Sequence, residues 1–289
     1  MTDIGTTAPA SVEEFVWRTL FSSIDVIAQH ESIGQDSMDP EALHQFRVSI
    51  RRLRSNLRSL RRVLNAAAAT DLRNRLAELD ELVRPVRDGE VIVERLSRTA
   101  GEVSNPIDAD VVEWIHQRLS DETERARTIL LEAFRGPVFA HLVQDLQELR
   151  SSRLVMPPAG ELEAVLQELN ERAWGKVARL ARSLPEAAAD QDLHRLRILA
   201  KRSRYLSEAS SPVLGKPAEQ RAKAAQSIQT LLGEHQDSVV LSAVLAELPR
   251  PTAAHGIATD GLLAAETDAR VRLRKQWHRL WRRIDRRVH

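Results

Sequence analysis

The sequence predicts an all-α protein, and three observations carry that prediction. Ala, Leu, Arg and Glu are abundant while aromatic residues make up 4% of the chain, a mixture that favours long helices over sheets. From Leu43 to Leu64 the apolar residues recur at alternating spacings of three and four, which puts them on one face of a helix. A basic motif then recurs at a fixed offset of 150 residues, so the chain reads as two similar helical halves.

Taken in order, helices are expected at about Val12–Ile33, Pro40–Leu64, Thr70–Thr99, Ala109–Phe134 and Pro137–Arg150. Asp39 is placed to cap the second of these, with Pro40 in its first turn. Pro157 and Pro158 mark a break over Leu154–Gly160. Further helices are expected at about Glu161–Leu184, Ala189–Ser210, Pro217–Leu248 and Thr259–Arg287. Residues 1–10 read as a disordered tip, without the basic start and apolar run of a signal peptide. The rest is expected to form one domain over 11–287, made of a first half at 11–153 and a second at 160–287. No apolar run is long enough to cross a bilayer. The chain has no cysteine, so disulfides and thiolate metal sites are excluded, which fits a reducing cytoplasm.

The net charge of +1 hides a segregated pattern. From Ala42 to Ala69 there are seven arginines and no acid, and from Leu193 to Ser207 five basic residues and no acid. The last twenty residues hold nine basic residues against Asp285. Acids gather elsewhere, as at Glu161, Glu163, Glu168 and Glu171. Such segregation points to a defined anion site. Five of the 42 basic residues are lysine, and Arg is the better phosphate fork.

Leu43, Phe46, Ile50, Leu53, Leu57, Leu60 and Leu64 form the apolar seam of the second helix. Each seam position up to Leu60 is followed directly by a member of another stripe: His44, Arg47, Arg51, Arg54, Arg58 and Arg61. At 1.5 Å per residue this stripe extends about 25 Å. Solvated helix faces usually mix signs through i,i+4 pairs, whereas this one has no acid and repels itself. The second half carries His194, Arg197, Lys201 and Arg204 in register. Arg52 and Arg202 are a further matched pair that either widens the site or faces solvent. Downstream, Leu82–Asp88 matches Leu231–Asp237, and Asp88 and Asp237 are placed either to orient basic side chains or to form ordinary salt bridges. Tyr205 is a further hydrogen-bond donor, but its counterpart is Ser55. Repeated self-repulsion implies a missing counter-charge, and guanidinium forks at each turn suit the closely spaced oxygens of linked phosphates. Near phosphate, protonated His44 and His194 add charge.

The repeat is not perfect. Glu208 stands opposite Arg58, which shortens the second stripe. Ser203 and Ser207 replace Leu53 and Leu57, so the second helix is expected to pack on a different face there. In the C-terminal segment Lys275, Arg279 and Arg282 share a face with Arg286, and Leu273, Trp277, Leu280, Trp281 and Ile284 form a core face. This helix either extends the basic site or, less in keeping with its paired tryptophans, lies on an anionic membrane.

The stretches Glu41–Arg54, Leu193–Tyr205, Arg87-Asp88 and Gln236-Asp237 together resemble the CHAD family, named for a conserved-histidine α-helical domain. The resemblance runs from about Ser11 to Arg287. It implies two four-helix-bundle-like halves related by a pseudo-two-fold axis around a central basic channel that binds inorganic polyphosphate. It also implies a cytoplasmic protein associated with polyphosphate granules. Carried over by motif, the ligands are His44, Arg47, Arg51, Arg52, Arg54, His194, Arg197, Lys201, Arg202 and Arg204. Stripe geometry adds Arg58 and Arg61, with Lys275, Arg279 and Arg282 as further candidates.

On this reading the protein is a binding module that needs no cofactor or metal, not an enzyme. Other polyanions are open as partners, DNA or RNA foremost, although no helix-turn-helix signature or interleaved aromatic platform accompanies the stripes. Phosphotransfer through His44 or His194 lacks a P-loop, a Gly-rich cradle or a carboxylate cluster beside the stripes. A scaffold for an acidic partner protein also stays open, and no specific protein partner is identifiable.

Overall fold

The computed structural model describes residues 8–29, 40–103, 108–149, 154–156 and 160–286, with all their side chains except Pro40 and Val138. Nine helices lie in these residues. They are α1 (Val12–Gln29), α2 (Pro40–Ser59), α3 (Ala66–Glu102), α4 (Ala109–Arg135), α5 (Pro137–Glu148), α6 (Leu162–Ser183), α7 (Asp190–Leu214), α8 (Lys216–Glu247) and α9 (Ala253–Asp285). The all-α reading holds: among the described residues the β-type pairing is one isolated antiparallel bridge, Leu64 with Val155. Asp39, Pro157 and Pro158, on which a cap and a break were placed, lie outside the described residues.

The chain divides into two compact units, and each takes segments from both halves of the repeat. The first comprises Met1–Arg84, Thr128–Val177 and Leu199–Ala225, and the second Pro85–Arg127, Ala178–Ile198 and Gln226–His289. Five helices, α3, α4, α6, α7 and α8, contribute to both.

The core of the first unit forms around the seam of α2. Leu43, Phe46, Ile50, Leu53, Leu57, Leu60 and Leu64 are all buried. Each such side chain contributes about 1.5–3 kcal/mol relative to its exposed state. α1 packs against α2 and α5, and buries Phe15, Val16, Leu20, Ile24 and Ile27. Phe46 meets Phe134 edge to face at 5.2 Å between ring centres, and Phe134 lies 4.7 Å from Phe139, distances at which aromatic pairs attract.

α2 ends at Ser59 rather than near Leu64. Past it, the Val63 N–H bonds the Leu60 carbonyl, and residues 154–156 pair with the turn through Asn65 N to Leu154 O and Met156 N to Val63 O. Asn65 then caps α3 by accepting from the Ala67 and Ala68 N–H groups at 3.1 and 3.2 Å, so that helix starts four residues before the expected Thr70.

Ser203 and Ser207 do not turn the second-half helix onto another face. They are 0% and 1% exposed, in the positions of Leu53 and Leu57. At Ser207 hydrogen bonding takes the place of apolar packing, whereas the Ser203 hydroxyl is buried with no hydrogen-bond partner among the described residues. Ser207 Oγ donates to Asn170 Oδ1 at 2.8 Å, and Asn170 Nδ2 donates to Ser210 Oγ at 3.0 Å and to the Leu166 carbonyl at 2.9 Å. A buried polar network with its partners in place keeps the same face inward. α7 ends where Gly215, at φ +61°, adopts the left-handed conformation that closes many helices.

The second unit has its own core of Leu96, Ile115, Leu119, Leu241, Leu245 and Leu262, with Val111, Leu248 and Ala258. α3 and α4 approach closely at Gly89, where an added Cβ would sit 2.1 Å from Thr123 Oγ1. α9 begins at Ala253, six residues before the expected Thr259, because Thr252 caps it by accepting from the His255 N–H. Trp277, Trp281 and Ile284 are buried, as the face assignment for that helix requires.

A buried ion pair crosses this unit. The Arg95 guanidinium grips Glu266 through Nε at 3.0 and 3.1 Å and Nη2 at 2.8 Å, and Thr99 Oγ1 donates to the same carboxylate at 2.5 Å. Burial by itself raises the Glu266 pKa. The hydrogen bonds of Arg95, Ser238 and Thr99, with the Arg95 charge, outweigh it and hold the carboxyl below its ordinary value. A carboxyl depressed in the folded state stabilises fully above its unfolded value, about 4.3. That contribution is lost as pH falls through the folded value. Glu266→Ala removes the buried partner of Arg95, leaves it only the half-exposed Glu234 at 3.3 Å, and is expected to cost at most about 3–5 kcal/mol. In urea titrations the gap between wild type and variant should be full at neutral pH and shrink on the acid side of about pH 4.3.

Candidate functional site

The twenty residues Glu41–Leu60 and their counterparts Gln191–Ser210 agree in burial class at eighteen positions. The exceptions are Ser49 against Leu199 and Arg58 against Glu208. The sequence repeat is therefore a repeat of packing, and it sets how far each cation emerges. His44, Arg47, Arg51, Arg52 and Arg54 are half-buried, as are His194, Arg197, Lys201, Arg202 and Arg204, while Arg58 and Arg61 are exposed. Long side chains so placed bury their stems and present charged heads.

The first unit holds His44, Arg47, Arg51, Arg52, Arg54, Arg58 and Arg61 together with Lys201, Arg202 and Arg204. Arg61 lies not on the helix but in the turn after it. Within this unit Arg54, Arg58 and Arg202 crowd one another and are joined by Arg73 of α3. Burial, then the charges of Arg58, Arg73 and Arg54, lower the Arg202 pKa from its ordinary value to about 10. Lys176 of α6 is lowered too, first by burial and then by Arg172, Arg61, Arg58 and Arg202. Arg73 shifts the same way, through burial and then Arg58 and Arg54. Each of these groups is thus held where its charge is disfavoured. Arg58, Arg61, Arg62, Arg172, Lys176 and Arg202 surround a small cavity of about 70 Å³ whose remaining lining is apolar apart from Ser59.

Tertiary structure also brings acids to cations whose own segments have none, which corrects the expectation of an uncompensated stripe. Asp80 of α3, 6% exposed, accepts from Arg54 at 2.5 Å. Glu208 accepts from Arg52 Nη2 across helices at 3.2 Å, and from Arg204 Nε, one turn away on α7, at 2.6 Å as a local i,i+4 pair. Tyr205, buried between them, has the Arg52 and Arg204 guanidiniums 5.2 and 5.7 Å from its ring centre, within cation–π range.

The second unit holds His194 and Arg197, and on α9 the exposed Lys275, Arg279 and Arg282. His194 Nδ1 donates to Gln236 Oε1 at 2.8 Å, which leaves Nε2 for other partners. Arg197 lies over α8, where a Cβ added at Gly233 would meet its Nε at 3.6 Å. Asp237 has its pKa raised by burial, against the opposing charge of Arg197. The downstream repeat thus supplies a partner for the histidine and a counter-charge for the arginine. A cleft of about 900 Å³ in this unit, lined mainly by α3 and α9, holds none of the predicted ligands. It is lined by cations and acids in alternation, among them Arg98, Glu102, Asp268 and Arg272, over alanines.

A model of the CHAD domain matches residues 19–246. The chain belongs to the CHAD domain family. The CHAD match stops before α9, so Lys275, Arg279 and Arg282 lie beyond it. Two curated relatives from Mycobacterium tuberculosis, Rv2226 of strain H37Rv and MT2285 of strain CDC 1551, are each 30% identical over 259 residues. These residues cover 86% of this CHAD chain and 49% of theirs. The chain thus spans about half the length of the curated relatives it matches. Among solved structures, the CHAD domain from the plant Ricinus communis is similar at a TM-score of 0.76 and 23% identity, covering 96% of this chain and 94% of that one. PptA from Streptomyces chartreusis is similar at 0.73 and 18%, covering 95% and 99%. These likenesses establish the fold.

Sequence reading missed Arg73, Arg172 and Lys176. The last two follow the acidic run Glu161–Glu171, and the averaged charge of that helix hid a one-turn i,i+4 pair of cations. If crowding among like charges is as close as the pKa shifts indicate, Arg202→Met should raise the melting temperature at low salt. The gain should shrink as salt screens the remaining charges, which thermal unfolding at several ionic strengths will measure.

Proposed function

We propose that this CHAD protein binds inorganic polyphosphate without catalysis, in the cytoplasm and at polyphosphate granules. The observation that carries the reading is the cation cluster of the first unit. Arg58, Arg61, Arg73, Arg172, Lys176 and Arg202 make no ion pair with any described acid, and three of them are held at lowered pKa. A folded state that concentrates cations at such cost is stabilised by a ligand rich in negative charge. Linked phosphates offer it closely spaced oxygens matched to guanidinium forks. On this reading His194, with Nδ1 tied to Gln236, donates to phosphate from Nε2 in its imidazolium form. Among the described residues no helix is long and apolar enough to cross a membrane, and Lys275, Arg279 and Arg282 give the second unit an exposed basic face of its own.

The test is calorimetric titration with polyphosphate of defined length beside single-stranded and duplex DNA of matched charge, at near-physiological salt. Polyphosphate is expected to bind more tightly than either DNA. Arg58→Gln with Arg202→Gln should weaken binding and make the dependence of log affinity on log salt shallower, by about 0.7 for each phosphate charge that is no longer neutralised. Arg54 is unsuitable for this purpose, because its removal strands the buried carboxylate of Asp80. Equal affinity for all three polyanions would return the stripes to a general basic surface, with nucleic acid as the competing ligand. In the same assay Glu208→Gln, which removes the carboxylate charge shared by Arg52 and Arg204, should tighten polyphosphate binding several-fold at low salt.

A further inference from the structure

The cavity in the first unit has features that a site for the middle of a chain does not need. Its cations come from three places: Arg58 and Arg61 from the end of α2 and the turn beyond, Arg172 and Lys176 from successive turns of α6, and Arg202 from α7. Leu169, Leu199 and Leu206 also line it, and Leu169 and Leu206 belong to the core. At about 70 Å³ its inner space has room for a small group such as one phosphate. Arg62, at the edge, is occupied by Glu168, whereas the five cations named above have no described acid as partner.

Resting on the polyphosphate reading, we propose that Arg58, Arg61, Arg172, Lys176 and Arg202 form a pocket for the terminal phosphate of a linear polyphosphate. An internal phosphate carries one negative charge and uses two of its oxygens as bridges. A terminal phosphate has three unbridged oxygens and takes a second charge with a pKa of about 6, as phosphate monoesters do. It therefore offers more acceptors and more charge to a convergent cluster of donors. The lowered pKa of Arg202 and of Lys176 fits a pocket in which cations outnumber anions until such a group enters. The protein then holds a chain by its end as well as along its length. Arg172 and Lys176, outside both motifs, determine that preference.

The experiment compares a linear polyphosphate of defined length with the same chain blocked at both ends by a neutral amine, titrated into the full chain. Pyrophosphate serves as a competitor. Wild type is expected to prefer free ends by tenfold or more, with pyrophosphate eroding that preference. Arg172→Gln with Lys176→Gln should abolish the difference while leaving the melting temperature unchanged or raised, since both side chains are exposed. The single variant Lys176→Gln, milder in its effect on folding, should reduce the preference in the same direction. Equal binding of free and blocked chains by wild type, or a preference that survives in a folded double variant, overturns the end pocket and leaves polyphosphate binding intact. Failure of wild type to bind either chain overturns both.

Discussion

A one-residue offset on α2 governs the rest of the structure. The apolar seam and the cationic stripe lie side by side because every seam residue up to Leu60 is followed by His or Arg. Burial of the seam therefore decides where the guanidiniums emerge. Cations so close together do not choose this arrangement for themselves. They are held by seven buried side chains whose combined hydrophobic contribution exceeds the repulsion among partly solvated charges. The same packing recurs 150 residues later, even where serines replace leucines, and there the Asn170 network satisfies Ser207 and Ser210.

Charge compensation is selective. Arg54 has Asp80, Arg52 and Arg204 share Glu208, and Arg197 has Asp237 nearby. Arg58, Arg73, Arg172, Lys176 and Arg202 have no such carboxylate among the described residues. The first group is largely committed to holding helices together, and the second is where free positive potential accumulates. The buried Arg95–Glu266 pair makes the contrast plain. There each partner is matched, hydrogen-bonded and enclosed, which suits a structural element and leaves no capacity for an anion.

The substitution of Glu208 for the repeat position of Arg58 makes the two halves chemically unequal while their burial stays matched elsewhere. One half keeps its end cation free. The other spends its end residue on neutralising Arg52 and Arg204 and on fixing them beside Tyr205. A duplicated framework thus carries unequal charge at matched positions, with Arg58 beside the cations of α6.

Much of this was determined by sequence alone. Helical class, the seam, the offset stripe and the 150-residue repeat all follow from local periodicity, which a helix translates directly into faces. Trp277 and Trp281 were legible as packing residues for the same reason. Tertiary structure decided the charge balance, because Asp80, Glu208, Arg73, Arg172 and Lys176 meet the stripes through contacts distant in sequence or across helices. Local charge counts made the stripe look uncompensated and the α6 segment look acidic. It also decided the ends of α2 and α9, where the pairing of residues 154–156 and the Thr252 cap prevailed over periodicity. Spacing along a chain reports which side chains share a face; folding determines which charges share a space.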